Sequence, residues 1–332
     1  MTAFVESPLQ LLCAVEAYAA GHAGARSQVL ARADVPGLAA TVDAVRALGL
    51  PGRLDVDLAP VPRRTPHDVV LVGDPFSGAF QAALVRALRP PTRIVVVDDG
   101  LAILDLAHRL TSGSSLVRIG APPGSLRFGL GALAALRMRR VAETGGLSLC
   151  TALPLDPDLR AWLRLLGIGV VEHSFEWLRS RPAADAPAEQ TVVVGSALAA
   201  DGMVHPDRYV AWVRGLAVDG PVRYVPHRRQ DPRLSALLEQ VPGVVVDTPG
   251  APVEMRLRGL RPGQRVVTLP SAPALTLPRL LPRGVAVTSH AMPDAWWTDR
   301  ATPDLRRHVG RAHSLATAAA ESARAPRVAA AA

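Results

Sequence analysis

Two runs in this chain end in side chains able to do chemistry. Val95-Val96-Val97-Asp98-Asp99-Gly100 closes an apolar stretch with two carboxylates. Tyr224-Val225-Pro226-His227-Arg228-Arg229 closes another with an imidazole and two guanidinium groups. In open parallel sheets, ligands bind beyond the carboxyl ends of the strands. Adjacent carboxylates repel one another, which raises the pKa of one and suits it to a base role. Imidazole and guanidinium together form a phosphate-binding set. If the two strands belong to facing domains, a base and an anion site meet across a cleft. Against this, Asp-Gly after a strand is also ordinary turn chemistry, and a His-Arg-Arg run also suits a solvated loop.

The elements that must position these residues alternate. Strands are expected at Thr2–Glu6, Gln28–Ala31, Val69–Gly73, Arg93–Asp98 and Leu147–Thr151. Helices are expected between them, the first capped by Ser7-Pro8. Thr111–Arg127 is Ser/Gly/Pro-rich and reads as a loop, followed by a basic helix over Gly131–Val141. Ser180–Glu189 has linker composition. Beyond it strands recur at Thr191–Gly195, Val222–Pro226, Val244–Asp247, Arg265–Leu269 and Val285–Thr288. Alternation in both halves implies an α/β protein of two Rossmann-like domains, with parallel sheets covered by helices on both faces. The expected domains are residues 1–180 and 190–300, with residues 301–332 as a C-terminal helix and a frayed Ala-rich tail.

Composition agrees. At 332 residues the chain exceeds the size at which one core usually stops growing. All 37 basic residues are Arg, and the net charge of +8 favours anionic ligands. The arginines are scattered and aromatics make up 4%, which argues against nucleic acid as a partner. Cys13 and Cys150 form no metal-ligand spacing and suit a reducing, cytoplasmic setting. The N-terminus lacks a basic n-region and no long uncharged apolar run occurs. Association with a membrane is therefore expected to be peripheral at most, at the inner face of the cell membrane.

Several motif-like strings carry bland readings. Gly129-Leu130-Gly131 mimics a dinucleotide loop but follows no buried strand. Asp55-Val56-Asp57 alternates as an edge strand does, and Asp156-Pro157-Asp158 reads as a helix-capping turn rather than a metal clamp. No metal site and no cofactor are expected.

An ordered set of fragments resembles one family. Phe4-Val5-Glu6-Ser7-Pro8-Leu9-Gln10 with Glu16, Val72-Gly73-Asp74, Val97-Asp98-Asp99-Gly100, Tyr224-Val225-Pro226-His227-Arg228, Pro252-Val253-Glu254 and Leu269-Pro270-Ser271 together look like bacterial sialyltransferases of the polysialyltransferase and lipooligosaccharide-sialyltransferase type. The resemblance covers roughly residues 1–290. It implies a GT-B fold of two facing domains, the first on the acceptor side and the second on the donor side. It further implies a CMP-sialic acid donor, a glycan acceptor that the positive charge would suit if anionic, inverting transfer without a required metal, and a place in cell-surface polysaccharide biosynthesis. On this pattern Asp99 is the catalytic base and His227 supports the donor phosphate. The family's Ser/Thr pair is incomplete here, because Ser271 is followed by Ala272 and Pro273.

In physical terms, departure of CMP builds negative charge on phosphate, which His227, Arg228 and Ser271 would stabilise. Asp99 would take the acceptor proton. Glu254 would accept from ribose hydroxyls, or equally be a helix-surface carboxylate, and Gly195-Ser196 would offer backbone N–H groups to the donor. Ser7, Gln10, Asp98 and Gly100 fall on the acceptor or sugar side, with Asp98 accepting backbone N–H bonds in the turn before Gly100. Two other classes fit the same residues: a GT-B enzyme using another nucleotide-activated donor, and a non-catalytic nucleotide-binding protein.

Overall fold

The computed structural model describes residues 2–24, 26–60, 68–119, 124–183 and 185–324. The chain forms two compact units, Met1–Ala184 with Pro249–Arg256, and Asp185–Thr248 with Leu257–Ala332. The tail at 325–332, part of the expected 111–127 loop (120–123) and one linker residue, Ala184, lie outside the described residues.

The first unit runs β1 (Thr2–Val5), α1 (Pro8–Ala19), β2 (Ser27–Arg32), α2 (Leu38–Ala47), β3 (Leu54–Ala59), β4 (Val69–Val72), α3 (Gly78–Arg86), β5 (Arg93–Val97), α4 (Ala102–Ser112), α5 (Ser125–Glu143), β6 (Leu147–Thr151), α6 (Pro157–Leu165), β7 (Ile168–Glu172) and α7 (Glu176–Arg179). Its sheet is wholly parallel, in the order β3-β2-β1-β4-β5-β6-β7. β5 is apolar on both faces, with Ile94 to Val97 fully buried, as a strand covered by helices on both sides must be. The order reverses between β1 and β4, so the crevice where ligands bind such sheets opens beside Ser7, Gly73 and Asp74.

The second unit runs β8 (Thr191–Val194), α8 (Ala197–Ala200), α9 (Pro206–Ala217), β9 (Val222–Val225), α10 (Pro232–Glu239), β10 (Val244–Val246), β11 (Arg265–Thr268), α12 (Pro273–Leu280), β12 (Ala286–Ser289) and α13 (Pro303–Arg324). Between β10 and β11 comes α11 (Val253–Arg256), which belongs to the first unit. This sheet is also parallel, in the order β10-β9-β8-β11-β12, and reverses between β8 and β11. Its core gathers Tyr209, Val213, Tyr224, Leu238 and Leu269. The expected α/β class of two Rossmann-like, parallel-sheet domains is the one observed.

Two local expectations are corrected. α5 begins at Ser125, six residues before the expected Gly131, so Gly129-Leu130-Gly131 lies inside a helix. Gly131 is there for packing: a Cβ would come within 2.7 Å of the Leu116 carbonyl oxygen. β7 and α7 are additional elements, because Gly169 and a four-residue helix gave no periodic signal in the sequence. Among the described residues, no helix is long and apolar enough to cross a membrane.

Candidate functional site

At the strand ends of the first unit, Ser7 follows β1 in extended conformation and caps α1. Its hydroxyl oxygen accepts the Gln10 N–H (3.2 Å), and its proton goes to Asp99 Oδ1 (3.1 Å). Gln10 Oε1 accepts the Glu6 N–H at 2.7 Å, completing a reciprocal cap. Gly73 is required beside it, since a Cβ there would sit 2.2 Å from Gln10 Oε1. Gln10 is thus buried and spent within the crevice wall. Gly100 has φ +62°, a conformation that favours glycine and ends the strand sharply.

Asp98 and Asp99 are divided by the alternation of the strand. Asp98 is fully buried, accepting the Thr151 hydroxyl and the Ala152 N–H at 2.6 Å each, with His173 Nε2 at 3.8 Å. These partners lie at the ends of β6 and β7, beyond the turn to which the sequence expectation looked. Its carboxylate therefore acts by fixing neighbouring strand ends. Asp99 stays 17% exposed, and its second oxygen lies 3.6 Å from Arg118 Nη2. The same nitrogen is 2.5 Å from Asp74 Oδ2. Burial and the neighbouring Asp99 charge push the Asp74 carboxyl up to about 6, against the pull of Arg118.

Below this layer, Glu16 accepts the Trp177 and Leu178 N–H groups at 2.9 and 2.8 Å, capping α7. Burial pushes its carboxyl up to about 7. Phe175, which precedes α7, holds φ +58° and packs edge-on to His173. Cys13, Asp98 and His173 bring a thiol, a carboxylate and an imidazole within 4.8 Å of one another, as Glu16, His173 and Glu176 do for two carboxylates and an imidazole. Burial raises the Cys13 thiol well above its usual range and keeps it protonated.

In the second unit, Gly195 admits the backbone of the next strand end. A Cβ there would lie 2.6 Å from the His227 nitrogen and 2.9 Å from the Tyr224 hydroxyl. The Gly195 N–H donates to the Val225 carbonyl (2.8 Å), and the backbone of Ser196 hydrogen-bonds the Tyr209 hydroxyl. The Ser196 side chain caps α8 by accepting the Leu198 N–H. These groups therefore shape the loop, and the expected presentation of their N–H groups to a donor is replaced by internal bonds. The network continues from Tyr209 to Tyr224 (3.2 Å) and from Tyr224 to Gln230 (2.5 Å), bracing both ends of the loop that carries His227.

His227 is half-buried, and burial, Arg229 and Arg228 lower its pKa to about 4. Its Nδ1 accepts the Arg229 N–H at 3.3 Å, which assigns the ring proton of the neutral imidazole to Nε2. Arg229 is tied to Asp201 at 2.9 Å. The Ser271 hydroxyl donates to the Leu269 carbonyl (2.9 Å) and lies 3.0 Å from Thr268 Oγ1, so a Thr/Ser hydroxyl pair forms across the turn despite Ala272.

The structure thus gathers Ser7, Gln10, Asp98, Asp99 and Gly100 at one sheet edge, and Gly195, Ser196, His227 and Ser271 at the other. Arg228 follows His227 in the same loop. Glu254 is buried in α11, which belongs to the first unit, close enough to Cys13 to raise its thiol. Asp156 caps α6, as the turn reading expects. Asp74, Arg118, Thr268 and His173 were absent from the sequence-derived set. Asp74 had a signal, since Val72-Gly73-Asp74 ends a strand as Val97-Asp98-Asp99 does. Arg118, from a loop 44 residues after Asp74, had none.

No protein-family model matches the chain, and no curated protein matches it in sequence. Solved structures do. An α/β-galactoside α-2,3-sialyltransferase from the luminous marine bacterium Photobacterium phosphoreum superposes with TM-score 0.51 at 10% identity, covering 96% of each chain. A UDP-glucose:anthocyanidin 3-O-glucosyltransferase in complex with UDP gives 0.42 at 11% identity, over 98% of this chain and 95% of the other. Acinetobacter baumannii MurG gives 0.34 at 12% identity, over 93% and 82%. The protein has the GT-B glycosyltransferase fold, two parallel-sheet α/β domains of seven and five strands.

Proposed function

We propose that the protein is an inverting glycosyltransferase that moves sialic acid or a related sugar from a CMP-activated donor to a glycan hydroxyl, with Asp99 as base. The observation that carries this reading is the division of the Asp98-Asp99 pair at the strand end beside the sheet reversal. One carboxylate is locked into the fold, and the other stays accessible and hydrogen-bonded to Ser7. In the reaction the bond between anomeric carbon and phosphate oxygen breaks, and CMP leaves with the electron pair. The acceptor oxygen bonds to the anomeric carbon from the opposite face, and its proton passes to Asp99. Neutral His227, through Nε2–H, and Arg228 would hold the leaving phosphate, with Ser271 reorienting its hydroxyl toward it. This chemistry asks for no metal.

The ordered family resemblance supports CMP over other nucleotides. A donor panel of CMP-sialic acid and UDP-sugars, offered with anionic and neutral glycan acceptors, tests the reading. CMP-sialic acid should be consumed with glycan formed, in the presence of a chelator, and the Asp99→Asn variant should be at least about a hundredfold slower. Turnover of a UDP-sugar alone would reassign the donor. Binding of CMP without turnover by any acceptor would point to a non-catalytic nucleotide-binding protein.

A further inference from the structure

The layer formed by α3 and α5 in the first unit carries apolar side chains in solvent. α5 rests on the sheet through small and flexible residues, Gly131, Ala134, Ala135 and Met138. At about 100° per residue, its other side presents Leu126, Leu133 and Leu136. Leu126 is 90% exposed, and Leu88, just beyond α3, is fully exposed. Arg137 of α5 donates to the Ala87 carbonyl at 3.3 Å, which keeps the Leu88 segment beside α5. A helix apolar on both sides is ordinarily buried. A contiguous exposed apolar patch marks an interaction surface.

Charge identifies the partner. Residues 75–97 and 106–142 contain no Asp or Glu, while Arg86, Arg89 and Arg140 stand exposed around the apolar side chains. A second copy of the chain would set this cationic face against itself. We propose that the α3–α5 face docks onto an anionic lipid bilayer, with Leu88, Leu126, Leu133 and Leu136 entering the interface and Arg86, Arg89 and Arg140 meeting lipid phosphates. Apolar side chains flanked by one sign of charge are what peripheral binding to anionic lipid requires. The inference is independent of the donor, since none of these residues belongs to the nucleotide or base machinery.

Flotation of the full chain with vesicles tests it, using phosphatidylcholine alone and phosphatidylcholine mixed with phosphatidylglycerol. The anionic vesicles should carry the protein, the neutral ones should not, and salt should weaken the binding. Leu126→Ser with Leu133→Ser should lower the partition at least about tenfold, and each of Arg86→Gln, Arg89→Gln and Arg140→Gln about fivefold. These positions are exposed, so circular dichroism and melting should be unchanged. Equal flotation of wild type and the double Leu variant would overturn the proposal. So would absence from anionic vesicles, whether the protein then scatters light as a dimer or as a monomer.

Discussion

Replacing each member of the Asp98-Asp99 pair by Asn should separate stability from catalysis. Asp98 accepts two hydrogen bonds of 2.6 Å in a fully buried setting. In Asp98→Asn, the amide oxygen can keep the Ala152 N–H, and the amide nitrogen must then face Thr151. Thr151 Oγ1 already accepts the Leu153 N–H at 2.9 Å, so its hydroxyl can turn and accept a second bond only in poorer geometry. The charge that drew both donors is lost. Hydrogen bonds to charged groups contribute about 1.5–3 kcal/mol, so a net loss of about 1–3 kcal/mol is expected. For a unit of this size that lowers the melting temperature by about 2–12 °C. Asp99→Asn can still accept from Ser7, so its stability should stay within about 0.5 kcal/mol of wild type, as for other surface substitutions. Its kcat should fall at least about a hundredfold. Melting curves and single-turnover transfer from CMP-sialic acid decide the matter. A well-folded, inactive Asp98→Asn beside an active Asp99→Asn would refute the assignment of roles.

The Gly73→Ala variant should lose about 1–3 kcal/mol, because its methyl would occupy the position of Gln10 Oε1, and adding Gln10→Ala should recover part of that loss in a double-mutant cycle by melting. Glu16 and Asp74 have pKa values raised to about 7 and about 6, so the folded state binds protons that the unfolded state has released. Stability should therefore fall as pH rises from about 4 to 7, and denaturant titrations of Glu16→Gln should show a shallower fall. His227 is lowered to about 4, so its contribution is lost as pH falls from 6.5 toward 4. Its NMR titration should show that midpoint in the free protein and a higher one with CMP bound, while equal CMP affinity in His227→Ala would remove it from the donor role.

Much was legible from sequence because it rests on local physics. Apolar runs such as Ile94–Val97 can only be strands covered on both faces, and Ser7-Pro8 and Asp156-Pro157 announce helix starts through backbone N–H groups that need acceptors. The alternation of strand and helix led to two parallel sheets, and the strand-end location of Asp99 and His227 followed from it. Tertiary structure alone supplied the partners that bury Asp98, namely Thr151 and Ala152, more than fifty residues away. It brought Arg118 between Asp74 and Asp99, turned the Gly195 N–H inward, and carried Glu254 into the first unit. These outcomes depend on strand order and long-range hydrogen bonds. Periodicity and turn chemistry report only on neighbours along the chain, so contacts made across a sheet edge leave no mark in either.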